Sequence, residues 1–329
     1  MIRTTTILTV MFAVVFAAGA VASGQDAASW LNPRFGNLES EVTYTFRGYG
    51  DRDVSGQGRE LGLMRHRVAL QVPISQDQTH EWLMTLSYGG WDIDTAATFP
   101  DTGGRFPSCL HDVELGVAYR QKLENGWIWG GGAWVGSPAD RPFHSGEEVS
   151  VAARGFLRIP HGKRNAFLAF LDFSNTRSFA AAIPLPGVAY NWVPTDDLNL
   201  VLGVPMSSIR WRPLDKLTLS ARYILPRNVH ARIGYQVMDS CEVYGLFAWD
   251  NEQFFRHDRP DDDDRLLFYE KRVGGGIKID LAENVTLDIS TGWAFDGFFF
   301  EGEDYGDRSD NRLTLEDGLY AGVSLSVRF

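Results

Sequence analysis

Hydrophobic and polar residues alternate along most of this chain with a period of two. Between Asp112 and Arg120 every second residue is apolar, and the residues between are charged, glycine or alanine. Successive side chains of a β-strand point to opposite faces, so this period indicates strands with one apolar and one polar face. The same pattern recurs in segments 42–47, 67–72, 217–223, 229–236, 285–296 and 319–329. It predicts an all-β protein.

Alternation alone does not distinguish a soluble β-sandwich, our alternative, from a membrane-spanning β-barrel. Aromatic residues near the predicted strand ends favour the barrel, because aromatic rings with a polar edge prefer the membrane–water interface. We assign these rings to the apolar face of the strands. They are Trp82, Tyr88, Trp91, Tyr119, Trp127, Phe167, Phe173, Trp192, Trp249 and Phe295.

The predicted connections between strands fall into a short and a long class. Short connections are predicted near 75–80, 123–126, 161–165, 194–197, 213–216, 238–240 and 281–284. Longer polar ones are predicted at 48–60, 90–108, 136–147, 174–186, 251–265 and 301–313. Outer-membrane barrels have short periplasmic turns and longer extracellular loops. We therefore predict a closed antiparallel transmembrane β-barrel of about 12 to 16 strands, the upper value counting 198–204 and 208–212, which are short for a tilted spanning strand.

The first residues have the pattern of an export signal. A short positive start precedes an apolar run, Ile7–Ala18, and a small-x-small cleavage site, Ala20–Ala22. We predict a cleaved secretory signal peptide at 1–22, the alternative being an uncleaved anchor. A leader in the periplasm then covers 23–36, and the barrel covers 37–329.

The end of the chain alternates up to its last residue, which is aromatic. Val323, Leu325, Val327 and Phe329 lie on one face of this segment. Here the chain resembles bacterial outer-membrane β-barrel proteins, porins among them, whose terminal Phe is part of the signal read by the barrel-assembly machinery. The Leu185–Val237 region also resembles uncharacterised outer-membrane barrel families of unknown function. The resemblance implies a Gram-negative-type outer membrane, with membrane lipid and the assembly machinery as partners and with a possible homo-oligomer.

Net charge and cysteine content exclude several classes of protein. The net charge of −11 gives no basic face, so we expect no nucleic-acid partner. Two cysteines are too few for a disulfide framework or a cysteine-based zinc module. We place Cys109 and Cys241 at opposite ends of the barrel and predict no bond between them.

The polar face of the strands predicts the lining of the lumen. We expect the following charged residues to line it: Arg47, Arg67, Asp112, Glu114, Arg120, Arg154, Arg158, Arg222, Arg232, Arg272 and Asp288. Such charges either face a watery pore and set its selectivity, or pair into a network that closes the interior. We favour a passive channel for small polar solutes. The alternative is a structural or adhesive surface barrel with a closed lumen and functional acidic loops.

Catalytic and metal-binding patterns are weak. Neither His144–Ser145 nor His257–Asp258 has a neighbouring set of residues that completes a hydrolase site. The acidic runs 258–264 and 301–310 could bind divalent cations, but their order does not match an EF-hand and a solvated charge run is the preferred interpretation. We expect no enzyme activity, cofactor or metal, with an outer-membrane hydrolase as the least favoured alternative.

Overall fold

The structure, a computed structural model, describes residues 35–178, 180–225 and 228–329. The predicted signal peptide and most of the predicted leader lie outside the described residues. Eighteen strands form one antiparallel sheet. They are β1 (Glu41–Tyr49), β2 (Arg52–Val54), β3 (Arg59–Gln76), β4 (His80–Thr95), β5 (Cys109–Lys122), β6 (Ile128–Ala139), β7 (Ser150–His161), β8 (Asn165–Ser174), β9 (Leu185–Thr195), β10 (Leu198–Val204), β11 (Met206–Leu214), β12 (Leu217–Ile224), β13 (Asn228–Met238), β14 (Cys241–Phe254), β15 (Arg265–Ala282), β16 (Val285–Gly302), β17 (Leu313–Leu315) and β18 (Gly318–Arg328). Two 3₁₀ turns, Gly146–Glu148 and Tyr305–Asp307, lie in loops.

The sheet closes on itself. The first strand, β1, pairs with β3 along one edge and with the last strand, β18, along the other. The three-residue strands β2 and β17 pair with each other and only extend the wall, so sixteen strands form the ring. Closure leaves no unpaired strand edge, which a membrane-spanning sheet requires. The prediction of a closed antiparallel barrel is confirmed, at the upper end of the predicted strand number.

The connections are sorted between the two ends of the barrel. Seven short turns lie at one end, the turn end, and each lies where the sequence predicted a short connection. The long connections lie at the opposite end, the loop end, together with the short connections β10–β11 and β12–β13. Several strands run further into the long connections than predicted: β4 continues to Thr95 and β16 to Gly302. Among the described residues no helix is both long and apolar enough to span a membrane.

The outer face of the barrel is apolar and exposed. Phe167 keeps 50% of its surface exposed and Val188 keeps 65%, while their neighbours Leu168 and Ala189 are buried inside. An exposed apolar band around a closed barrel is the architecture of transmembrane β-barrels, where it faces lipid. One aromatic residue contradicts our assignment to the apolar face. Trp91 points inward and is only 3% exposed, because it is two residues from Gly89 on the inner face rather than in phase with Tyr88.

The wall is tall on one side and short on the other. The strands β3, β15 and β16 have 18 residues each, whereas β10 has 7 and β12 has 8. At about 3.3 Å per residue, the tall strands are more than twice as long as the short ones. We call β9–β13 the short wall. The two segments that were short for spanning strands, β10 and β11, both belong to it and pair with their neighbours in the ring.

The tall strands lean across the loop end. Phe255, directly after β14, forms a parallel bridge with Ala139 at the end of β6. The Phe255 N–H donates to the Pro138 carbonyl at 2.7 Å, and the Asp140 N–H donates to the Phe255 carbonyl at 3.0 Å. Since β6 and β14 lie on opposite sides of the ring, this junction divides the mouth of the barrel into two parts.

One of these parts is filled by a hydrophobic core. The inner faces of β3–β5 pack against those of β14–β16, with Trp91 at the centre; its ring lies 5.1 Å from those of Phe254 and Phe268. We call this cluster the packed core. Its larger members are Leu61, Leu63, Trp91, Phe99, Phe106, Leu110, Phe254, Leu266, Phe268, Phe299 and Leu313. The mouth is therefore closed on this side by ordinary core packing.

The start of the described chain enters the turn end. Leu38 packs against Leu83, Ala118 and Trp134 on the inner wall, and its backbone exchanges two hydrogen bonds with the Gln76 side chain. The Trp134 ring occupies space where a side chain at position 116 would lie, so this position requires glycine. The β4–β6 side of the lumen is thus occupied at the turn end as well.

Candidate functional site

The larger of two cavities in the barrel is lined by residues of β1, β3–β8 and β11–β15. It has a volume of about 500 Å³ and extends from the loop-end rim of the short wall, at Met206 and Ile224, to the inner faces of β1 and β3. On β3 the residues nearer the loop end, Leu61 and Leu63, belong to the packed core, whereas Arg65 lines the cavity. The cavity therefore continues beneath the packed core on its turn-end side.

The residues that line this cavity carry both charges, with arginine in excess. Six arginines and five carboxylates face it among the described residues. They are Arg47, Arg65, Arg67, Arg154, Arg222, Arg272, Asp112, Glu114, Asp172, Asp250 and Glu252. His230 also lines the cavity and lies 3.0 Å from an Asp250 oxygen.

Most of these charges are paired directly. Arg65 binds Glu252 and Arg272 binds Asp250. The Arg154 Nε donates to Asp172 at 2.6 Å, and an Arg67 Nη lies 3.4 Å from an Asp112 oxygen. The bound pairs fix their side chains against the wall, as expected of arginine forks facing carboxylates.

Two arginines of the cavity have no such partner. Within the described ranges neither Arg47 nor Arg222 forms a hydrogen bond or an ion pair, and the Arg222 Nε is buried without one. Arg47 stands opposite Arg65 in the β1–β3 register, and Arg222 stands opposite His230 in the β12–β13 register. Like charges placed directly opposite each other across two strands are unfavourable. Arg47 therefore raises the positive potential of the cavity.

Apolar residues from β8, from the loop-end rim of the short wall and from β15 also line the cavity. Phe170 and Met206 pack against a small cluster of Leu168, Ala189 and Val201, and both line the cavity with Ile224, Leu225 and Leu267. The segment after β8 borders the cavity at the loop end. There the Gln253 amide and the Arg265 guanidinium both donate to the Thr176 carbonyl. The cavity is thus lined by both apolar and charged residues.

A second cavity, of about 330 Å³, lies near the turn end. It is lined by Arg210, Thr218, Ser220, Arg232, Gly234, Glu242 and Lys278. Arg232 binds Glu242 at 2.7 Å and approaches Asp288 at 3.5 Å. Ser220 and Arg222 are successive inward residues of β12, so the two cavities lie next to each other along the short wall.

The predicted lumen residues fall into three groups. Seven of them line the larger cavity: Arg47, Arg67, Asp112, Glu114, Arg154, Arg222 and Arg272. Arg232 lines the smaller cavity. Arg120, Arg158 and Asp288 line neither: Arg120 is buried in an ion pair with Glu81, Asp288 accepts the Tyr244 hydroxyl, and Arg158 has a buried Nε without a partner among the described residues.

The sequence interpretation missed two cavity residues, Asp250 and Glu252. Both lie near the loop end of β14, where four consecutive polar residues, 250–253, interrupt the alternation; 251–265 was assigned to a loop, but β14 continues to Phe254. The predicted assembly segment is the turn-end half of β18. Val323 and Leu325 lie on the outer face, and Phe329 is 69% exposed while its backbone pairs with Ser40.

The remaining candidate chemistry lies at the loop end. His257 donates its backbone N–H to Asp140 at 2.8 Å, and its Nδ1 lies 2.7 Å from the other Asp140 oxygen. With Asp258 these two form the single group of potential metal ligands found in the described residues, but Arg256 already binds Asp258. Burial, together with nearby Asp261 and Asp307, raises the pKa of Asp264. Cys109 and Cys241 are unbonded and lie at opposite ends of the wall.

Comparisons with known proteins give only distant structural similarity. No family model and no curated protein matches the sequence. The structure is similar to that of an outer membrane channel from Pseudomonas putida F1, with 10% identity, 91% of this chain and 98% of that chain covered, and a TM-score of 0.37. It is also similar to the P. putida toluene transporter TodX (9%, 93% and 94%, 0.42) and to the translocator domain of the Neisseria meningitidis autotransporter NalP (9%, 92% and 92%, 0.34).

Proposed function

We propose that the protein is an outer-membrane β-barrel that acts as a narrow passive channel for small polar solutes. The observation that carries this proposal is the larger cavity, whose wall presents charged groups to a space large enough for a small molecule. Charged side chains inside a barrel are favourable where water fills the space, and larger barrels hold water. The adjacent cavity at the turn end supplies the second half of a route along the short wall.

The packed core limits what this channel can pass. It fills the loop end between β3–β5 and β14–β16, so the open cross-section is a fraction of that enclosed by sixteen strands. We therefore expect a cut-off near the size of a monosaccharide rather than the broad permeability of a general porin. Outer-membrane lipid, the barrel-assembly machinery and a homo-oligomer stay predictions, as does the lack of enzyme activity.

A closed binding barrel is the second candidate function. Two observations favour it: the packed core at the loop end, and Leu38 against the inner wall at the turn end. If the packed core, Leu38 and the ion pairs between them together block the lumen, the cavity is a binding site without an exit. Solute flux distinguishes the two functions.

Liposome swelling with neutral sugars of increasing size tests the channel. We expect the mature protein to admit pentoses and exclude trisaccharides, and Thr45→Trp to reduce the pentose rate at least fivefold because Thr45 lines the cavity. Tyr44→Trp is the matched control, since its side chain is exposed on the outer face of the same strand. Equal rates in the two variants, or no flux through the folded wild-type protein, would contradict the proposal.

A further inference from the structure

The cavity has an arrangement of charge that its own carboxylates do not balance. Arg47, Arg65 and Arg67 lie together on β1 and β3, with Arg47 opposite Arg65 and Thr45 opposite Arg67. Glu252 neutralises Arg65 and Asp112 neutralises Arg67. Arg47 forms no ion pair in the described residues; Asp250 lies within electrostatic range of it but is already bound to Arg272. A guanidinium in this setting lacks the anion that its planar donor fork is shaped to hold.

The short wall contributes a second cation of the same kind. Arg222 lines the cavity near its loop-end rim, between Ser208 and His230 in the strand registers. The nearest carboxylate to His230, Asp250, is already bound to Arg272. Glu114 is the cavity's one carboxylate without a direct partner in the described ranges, and it lies on β5, two residues from Asp112. Two unpaired arginines thus face one unpaired acid.

The apolar lining narrows the class of ligand further. Phe170 on β8, Leu267 on β15, and Met206, Ile224 and Leu225 at the loop-end rim of the short wall line the cavity. They would leave a fully hydrated inorganic anion without favourable contacts. An anion with a compact apolar body would satisfy both kinds of lining, with its charge on the arginines and its body against these apolar residues. A cavity of about 500 Å³ holds a molecule of that size.

We infer that the larger cavity binds small organic anions, namely a carboxylate attached to an aromatic or short aliphatic body, with Arg47 and Arg222 as the anion-binding groups. This inference rests on the proposed function in two respects. The channel supplies the route of entry, and the bound anion is a solute that the channel transports. The binding itself requires only that the cavity be reached from the loop end. Binding and passage can therefore be measured separately.

Isothermal titration of the folded mature protein in non-ionic detergent tests the inference, with benzoate as the probe. Benzyl alcohol and benzylammonium have the same ring and a neutral or positive head. We expect benzoate to bind at least tenfold more tightly than either of them. Equal affinity for benzoate and benzyl alcohol would overturn the inference, because the arginines would then contribute nothing.

Two variants locate the binding groups. We expect Arg47→Gln and Arg222→Gln each to weaken benzoate binding about tenfold while leaving benzyl alcohol unchanged, and Arg47→Lys to fall between Arg47→Gln and the wild type. Arg212→Gln is the matched control, since Arg212 is half exposed beside Asp197 at the turn end. A variant that fails to fold is recognised by loss of its heat-modifiable gel mobility, and the other arginine then decides the result. Wild-type affinity in both folded glutamine variants would overturn the assignment.

The outcome is distinguishable from failure of the channel proposal. Tight, arginine-dependent benzoate binding without solute flux would leave the inference standing and make the protein a closed binding barrel. Flux of neutral sugars without any preference for benzoate would leave the channel standing and overturn the inference.

Discussion

The two sides of this barrel are built from the same alternating strands but are filled differently. On the side of β3–β5 and β14–β16, the strands are long and their inward residues near the loop end are Leu, Phe and Trp, which pack across the lumen. On the short wall the strands end early, and their inward residues include Ser208, Arg222 and His230. Strand length and the chemistry of every second residue thus decide whether a barrel interior becomes a core or a cavity.

The packed side should behave as a protein core. We expect Trp91→Ala to lower the free energy of unfolding by about 3–5 kcal/mol, since it removes a buried ring in contact with Phe254 and Phe268. Urea titration of the protein folded in lipid vesicles measures this loss. Trp192→Ala, which removes an exposed ring from the outer face of the short wall, is the control. Equal losses for the two would show that the loop end is not a packed core.

Substituting a buried charge next to that core should lower the free energy of unfolding nearly as much. Glu270 accepts from Arg52 at 2.9 Å and from the Tyr49 hydroxyl at 2.7 Å, and Arg272 Nε lies 3.5 Å away. We expect Glu270→Gln to cost roughly 3 kcal/mol, because it leaves the buried Arg52 uncompensated.

The exposed pair of Arg212 and Asp197 at the turn end of the short wall provides the contrast. We expect Asp197→Asn to cost less than about 1 kcal/mol. The same urea titration compares the two, and a larger loss for Asp197→Asn would contradict the assignment of buried and exposed sides.

The junction between β6 and β14 divides the mouth of the barrel between the packed side and the short-wall side. Asp140 accepts both the backbone and the ring N–H of His257 there, so we expect Asp140→Ala to cost about 1–3 kcal/mol and to make single-channel currents larger and noisier. His161→Ala, on the outer face beside Tyr190, should change neither quantity. Unaltered currents in Asp140→Ala would mean that the junction does not restrict the passage.

The smallest effect is expected in the first turn. Asp77 accepts the backbone N–H groups of Thr79 and His80, and these hydrogen bonds hold its pKa below the ordinary value for aspartate. A lowered pKa in the folded state gives stability that is present above the ordinary pKa and is lost as the pH falls through the lowered value. Carboxyl NMR titration measures the pKa, and an ordinary or raised value would contradict the turn geometry.

The sequence predicted the wall far better than it predicted the interior. Alternation and short turns are local features, so β1, β5 and the seven turns could be placed from residue order alone. The inward lean of β14 could not, because it depends on Phe255 meeting Ala139 from the far side of the ring. Trp91 was assigned to the outer face although its phase with Gly89 directs it inward; only its packing partners, Phe254 and Phe268, lie more than 150 positions away.

The candidate site was predicted in part. Period two gave the inward direction of Arg47, Asp112 and Arg222, since direction along a strand is a local property. It could not tell which arginines find a carboxylate, because Arg65 meets Glu252 across the lumen and Arg120 meets Glu81 within the wall. The distinction between paired and unpaired cations, on which the inferred anion site depends, exists only in three dimensions.

Ion conductance of the mature protein in a planar lipid bilayer tests the proposed narrow passage most directly. We expect discrete current steps that are several times smaller than those of an unobstructed sixteen-strand pore, and that fall further in Thr45→Trp. Stable insertion with no current, or steps as large as those of an open pore in both proteins, would contradict the proposed passage between the short wall and the packed core.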